Sequence, residues 1–98
     1  MYIYLMIVSF RCNETKKLMN RNYSSVFPRS IQKIAMRKLW QLDSATKIND
    51  LRMQLLNNLI MVGSNRRRQY LIQINNHYKI RFTWKSSNAY NVKIKIIH

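Results

Sequence analysis

The sequence predicts an α+β fold in which an antiparallel sheet is covered on one face by an N-terminal helical hairpin. Two observations predict it. The stretch from Gln69 to His98, QYLIQINNHYKIRFTWKSSNAYNVKIKIIH, contains three alternating segments separated by two short polar breaks. Upstream, a helical stripe recurs at i, i+3, i+4 spacing and has the width needed to cover an apolar sheet face.

The middle segment alternates cleanly. Tyr78, Ile80, Phe82 and Trp84 fall on one face, and Lys79, Arg81, Thr83 and Lys85 on the other. The last segment sets Tyr90, Val92, Ile94 and Ile96 against Asn91, Lys93 and Lys95. Period two is the strand period, so these segments form an antiparallel meander with one apolar and one basic face. Asn75-Asn76 links the first pair of strands, since Asn tolerates positive φ. Ser86-Ser87-Asn88 links the second pair.

Ahead of the meander, the opening MYIYLMIVSF is apolar for ten residues. A bilayer span takes about twenty, so this stretch is too short to cross one. It has no positive n-region and no small-residue cleavage site, which argues against a signal peptide. Ile7 to Phe10 read as the first strand, with residues 1–5 as an N-terminal extension. A cytoplasmic location with no membrane partner is expected. Asn13-Glu14-Thr15 offers an N-cap for a short helix through Asn20. Pro28 suits the first turn of the next helix, where its missing N–H costs nothing. That helix runs to about Leu42 with Ile31, Ile34, Ala35, Leu39 and Leu42 as its buried stripe. Ile48 to Leu51 reads as one more turn, and Leu55 to Val62 as strand or irregular. Gly63-Ser64-Asn65 is a turn followed by Arg66-Arg67-Arg68. The chain forms one domain over 1–98, with no repeats.

Eighteen Lys and Arg stand against three acids, Glu14, Asp43 and Asp50, for a net charge of +15. Self-repulsion at that level destabilises a small domain, and nucleic acid is the usual partner of such a chain. The single cysteine, Cys12, excludes an internal disulfide and a cysteine zinc cluster. No cofactor and no metal are expected. Lys79, Arg81, Lys93 and Lys95 share the uncovered face, and cross-strand neighbours lie only about 5 Å apart. Four like charges so close repel one another, and a phosphate backbone would relieve them. Tyr78, Phe82, Trp84 and Tyr90 share the covered face in this reading. The open face is therefore expected to hold phosphates and to offer little for base stacking. His77 reads as an exposed loop residue, and Trp40 as a packing residue.

The order of these segments resembles the RelE/ParE toxin superfamily, and within it the HigB-like plasmid-maintenance killer toxins. The stretches MIVSFRCNETKKLMN, FPRSIQKIAMRKLWQLDSAT and QYLIQINNHYKIRFTW carry the resemblance, with Ala89-Tyr90 and the final His98. It covers nearly the whole chain from Met6. It implies a RelE-like fold and a toxin paired with a helix-turn-helix antitoxin. Such a toxin enters the ribosomal A site and cuts mRNA there without a metal. The ribose 2′-OH attacks the adjacent phosphate, while the protein supplies cations and proton-transfer groups.

Carried over residue by residue, His98 matches the family's terminal histidine, a general acid/base candidate. Strand phase places it with Ile94 and Ile96. Lys79 stands where the family usually has an arginine, keeping the charge but not the bidentate fork. Arg66 matches the arginine of a Lys-Gly-Asp-Arg segment whose first three residues are here Gly63, Ser64 and Asn65. Lys79, Arg66 and Arg81 would grip the scissile phosphate. Arg67, Arg68, Lys93 and Lys95 would bind RNA more broadly. An Asp-Tyr pair usual before the last histidine is Ile96-Ile97, a polar family position falls near Ile60, and a family glycine falls near Arg68.

Several of these departures share a direction. Gly to Ser or Arg, Asp to Asn, Glu to Lys and Arg to Lys each follow from one G-to-A base change. On this hypothesis part of the basic excess is mutational drift, and codons no richer in A than those of homologues would refute it. The depleted site leaves two alternatives to the nuclease. One is a catalytically degenerate homologue that only binds antitoxin or RNA. The other is a ParE-like gyrase inhibitor, which fold alone does not exclude. The terminal histidine favours the nuclease, since gyrase inhibition needs no proton-transfer residue.

Overall fold

Alternating apolar residues near the C-terminus build one antiparallel sheet, and the helices precede it in the chain. The computed structural model describes residues 7–63 and 69–96. Three helices, α1 (Asn13–Met19), α2 (Arg29–Ser44) and α3 (Ile48–Leu55), lead through a short 3-10 turn (Leu56–Asn58) into the strands. These are β1 (Leu59–Val62), β2 (Gln69–Gln73), β3 (Tyr78–Lys85) and β4 (Asn88–Ile96), in the order β1-β2-β3-β4. The α+β class and the three-strand meander are as expected. β1 adds a fourth strand, because the short apolar run Leu59–Val62 pairs in register with Gln69–Ile72.

The core lies between the helices and one sheet face. Tyr70, Ile72, Ile80, Phe82, Val92 and Ile94 are buried on the sheet side. Leu18, Ile31, Ala35, Leu39, Leu42 and Leu51 are buried on the helical side. Tyr70 and Phe82 are register partners, and their rings stack at 5.6 Å. Trp84 meets Phe82 edge-on at 6.4 Å.

The buried stripe of α2 differs from the sequence expectation at three positions. Ile34 is exposed, while Gln32 and Asp43 are buried. Both polar residues are satisfied, which is what makes their burial tolerable. Gln32 Nε2 donates to the carbonyls of Ser24 (2.7 Å) and Phe27 (2.9 Å), and its Oε1 accepts from the Ser24 amide. One side chain thereby fixes the connection from α1 to α2. Asp43 accepts the Ile7 amide at 3.0 Å and anchors the first extended segment. Pro28 sits one position ahead of the first helical turn, as the N-cap residue. Cys12 rather than Asn13 is the N-cap residue of α1, its carbonyl accepting the Lys16 amide.

Helix α3 runs two turns rather than one. Asp50 accepts from the Lys47 amide (3.2 Å) and the Thr46 hydroxyl (2.8 Å), the carboxylate half of a capping box. The β2–β3 loop does not use positive φ at Asn75 or Asn76. Instead Asn75 Oδ1 accepts the amides of His77 and Tyr78, both at 2.8 Å, as an Asx turn. His77 is exposed, as expected. The β3–β4 loop is Ser86-Ser87, both at positive φ, the pattern of a type I′ hairpin turn.

Residues 7–10 are extended but run parallel to β4, joined by isolated bridges Ile7 to Ala89 and Phe10 to Val92. Between those bridges β4 carries a bulge. Arg81 faces Lys93 and Thr83 faces Tyr90, so Phe82 lies opposite both Asn91 and Val92. Asn91 adopts φ 56°, the left-handed region that Asn tolerates better than other side-chain-bearing residues. Ser9 holds the bulge from outside the sheet. Its Oγ accepts the Asn91 amide at 2.9 Å, and its carbonyl accepts the Val92 amide at 3.0 Å.

The bulge corrects the expected faces of β4. Alternation is in phase from Val92 to Lys95 and reversed before it. Ala89 is buried, and Tyr90 lies on the face of its partner Thr83. Tyr90 is therefore not a core residue. Ile96, also expected inside, is 51% exposed at the end of β4.

Candidate nucleic-acid interface

No described element packs on the second face of the sheet, and strand register sets what it displays. Gln73, Lys79 and Lys95 form one cross-strand row. Leu71, Arg81 and Lys93 form the next, and Gln69, Thr83 and Tyr90 the third. Along β3 successive rows are two residues apart, about 7 Å, while on β4 the bulge places Tyr90 three residues from Lys93. The four cations expected together, Lys79, Arg81, Lys93 and Lys95, are thus brought together as two directly opposed pairs.

Arg81 is anchored to a neighbouring strand by its side chain. It donates from Nε at 3.0 Å, and from Nη2, to Oε1 of Gln69 on the neighbouring strand. A guanidinium held this way loses less freedom on meeting an oxyanion than a free one. Gln69 fixes the direction of Arg81, a contact that the sequence reading missed. Its signal was available only through register, since a glutamine opening a strand is unremarkable on its own.

Among the described residues, no acidic side chain compensates the positive charge of this face. No acid follows Asp50 in the chain, and all three acids are engaged on the helical side. Glu14 pairs with Lys17 at 2.8 Å and accepts the Ser24 hydroxyl at 2.7 Å. Those two contacts, Lys17 first, hold its carboxyl below the usual range. Asp50 is likewise held low, chiefly by the Thr46 hydroxyl. Asp43 is committed to the Ile7 amide. Burial pushes the Cys12 thiol up, but hydrogen bonds from the Thr15 amide and hydroxyl and the Glu14 amide outweigh it and lower its pKa.

The remaining candidates, His98, Arg66, Arg67 and Arg68, lie outside the described residues. So do the positions of Ser64, Asn65 and Ile97, and the extension at residues 1–5. Trp40, expected as a packing residue, lies instead at the exposed surface, outside the core. Its Nε1 donates to the Met19 carbonyl, and Arg21 stacks over its ring at 4.8 Å.

The family described as RelE-like toxin of the type II toxin-antitoxin system HigB matches residues 8–96. The chain belongs to the HigB-like toxin family. The match runs from the first extended segment to the last residue of β4, so it includes every element that builds the basic face. Membership makes this protein a type II toxin, and a type II toxin has an antitoxin partner. No curated protein matches the chain. Among the described residues of this HigB-like toxin, no helix is long and apolar enough to cross a membrane.

Proposed function

We propose that this HigB-like toxin is a ribosome-dependent mRNA endonuclease, acting as one domain in the cytoplasm and silenced by a helix-turn-helix antitoxin. The observation that carries the reading is the open sheet face. Two opposed cation pairs lie there with no carboxylate among them, and one cation is an arginine steadied by Gln69. Such a surface suits a phosphodiester chain.

The reaction needs three contributions. The ribose 2′-oxygen forms a bond to the adjacent phosphorus while the bond from phosphorus to the 5′-oxygen breaks. A base takes the 2′ proton, and an acid returns one to the leaving 5′-oxygen. Positive groups stabilise the extra charge on the phosphate oxygens in the transition state. In this proposal Lys79, Arg81 and Arg66 hold the phosphate, and His98 transfers a proton. Arg67, Arg68, Lys93 and Lys95 meet the surrounding RNA. A second reading, a toxin homologue that binds without cutting, is favoured by one sequence observation. Gly63-Ser64-Asn65 and Ile96-Ile97 replace most of the expected reactive neighbours.

Induction in cells with mapping of mRNA 5′ ends tests the proposal. Cuts at ribosome-occupied codons are expected. His98→Ala should lower cleavage by about 10²–10⁴-fold, the usual worth of a general acid or base. Lys79→Ala should lower it by about 10²–10³-fold, as for loss of one oxyanion donor. Unaffected growth and no new 5′ ends with the unmutated protein would remove the nuclease and leave the binding protein. Failure to bind ribosomes at low salt would remove both.

A further inference from the structure

We propose that Tyr90 is a base-stacking residue, so that the basic face of this toxin recognises the nucleobase as well as the phosphate of a single-stranded RNA. The inference rests on the RNA-facing reading above and adds a recognition element to it. Of the five aromatic residues on the sheet, Tyr70 and Phe82 are buried and Tyr78 and Trp84 pack against the core. Tyr90 alone is turned to the open face, as the partner of Thr83.

That orientation depends on a specific device. Without the bulge at Asn91, period two would bury Tyr90 and expose Ala89. The chain instead holds a non-glycine residue at φ 56° and fixes the bulge with two bonds accepted by Ser9, from the amides of Asn91, 82 positions away in the sequence, and of Val92. Bulges re-aim side chains and are concentrated near functional sites. Here the effect is to remove a large aromatic ring from the core side and seat the smallest available side chain, Ala89, in its place.

The surroundings match a nucleotide in kind and in scale. A nucleotide presents an anionic phosphate at one end and a flat apolar base at the other. The face presents Arg81 and Lys93 in one row and Tyr90 in the next, which along β3 is two residues or about 7 Å further on. The Tyr90 side chain is half-buried. Gln69 and Thr83 complete the same row, and both can hydrogen-bond a base edge. A stacked aromatic is tolerant of base identity, because every base has a π-face.

The test compares a single-stranded RNA of about eight nucleotides with an abasic strand of equal length and charge, at low salt. Wild type should bind the RNA about 5- to 150-fold more tightly than the abasic strand, the usual range for one stacked base. Tyr90→Leu should lose that preference while keeping its affinity for the abasic strand. Tyr90→Phe should retain the preference. A 2-aminopurine in the RNA should be quenched on binding to wild type, a readout that needs no variant. Equal binding of the two strands by wild type would overturn the inference. So would a preference that survives in Tyr90→Leu, or a Tyr90→Phe variant that behaves like Tyr90→Leu. Binding to neither strand would overturn the RNA-facing reading itself, and this inference with it.

Discussion

Removing a cation from the open face should stabilise the free protein. Lys79 and Lys95 are register partners, as are Arg81 and Lys93, so each pair sets like charges directly opposite. Two unit charges about 5 Å apart in bulk water repel by about 0.8 kcal/mol. A Debye length of about 10 Å at ~0.1 M salt reduces this to about 0.5 kcal/mol, and one of about 3 Å at ~1 M to about 0.2 kcal/mol. Both lysines are partly exposed, so the bulk-water figure is the appropriate one. For a chain this short 1 kcal/mol moves Tm by about 4–8 °C. Lys95→Gln should therefore raise Tm by about 2–4 °C at ~0.1 M salt and by about 1 °C at ~1 M. A double-mutant cycle with Lys79→Gln isolates the pair from the other cations. The expected coupling is about 0.5 kcal/mol at the lower salt and should shrink as salt is added. A coupling of zero, or one insensitive to salt, would show that the two ammonium groups splay apart. The opposed-pair description of the face would then be wrong.

Other expectations concern the helical side and the turns. Gln32→Leu keeps the side-chain volume but leaves Ser24 N–H, Ser24 C=O and Phe27 C=O without their partner. At about 1 kcal/mol for each lost bond, urea unfolding should show a loss of about 2–4 kcal/mol, and a loss below 0.5 would refute the anchoring role. Leu56 is exposed at φ 51° and ψ −121°, a region essentially reserved for glycine. Leu56→Gly should raise stability by about 0.5–2 kcal/mol, the strain of about 1–3 less the entropy of a glycine. Thermal unfolding at constant pH and salt reads it. Acid should destabilise the fold through Glu14 and Asp50, whose folded pKa values are depressed. Their contribution is present above the ordinary values of 4.5 and 3.8 and is lost as pH falls through the lower folded values. A Glu14→Gln/Asp50→Asn variant should show a shallower fall of Tm below pH 4.5, and an unchanged slope would refute the linkage.

The parts of the fold that were legible in the sequence are those where period and burial agree over a full element. β3 alternates for eight residues without interruption, and its faces were assigned correctly. The four cations of the open face follow from that alternation and from the second half of β4. Where one residue breaks the count, the pattern misleads. Asn91 inserts into β4 and reverses the phase of everything before it, so Tyr90 and Ala89 exchanged faces. The available signal was Asn91 itself, since asparagine is disfavoured inside a strand and favoured at positive φ. Ile34 and Gln32 exchanged places for a different reason. Helical spacing admits either as the edge of a stripe, and only the carbonyls of Ser24 and Phe27 decide that the glutamine goes inside. β1 is four residues of unbroken apolar character, too short for periodicity to separate strand from coil.

The left-handed positions bear on the origin of the basic excess. The chain has one glycine, yet Arg21, Leu56, Ser86, Ser87 and Asn91 all adopt positive φ. Glycine is the default residue for such backbone. Arg and Ser are each one G-to-A change from a glycine codon, so Arg21, Ser86 and Ser87 fit a backbone shaped around glycines since replaced. Drift of that kind supplies lysines and arginines without regard to partner. Folding then filters them, because an unpaired lysine inside the core is strongly disfavoured. Together these two processes suffice to put Lys79, Lys85, Lys93 and Lys95 on the open face, and charge alone is weak support for an RNA grip. They do not account for Arg81 held by Gln69 across the sheet. Nor do they account for a bulge secured by Ser9 that turns one aromatic ring out among the cations. The functional reading rests more firmly on those two arrangements than on the net charge that first suggested it.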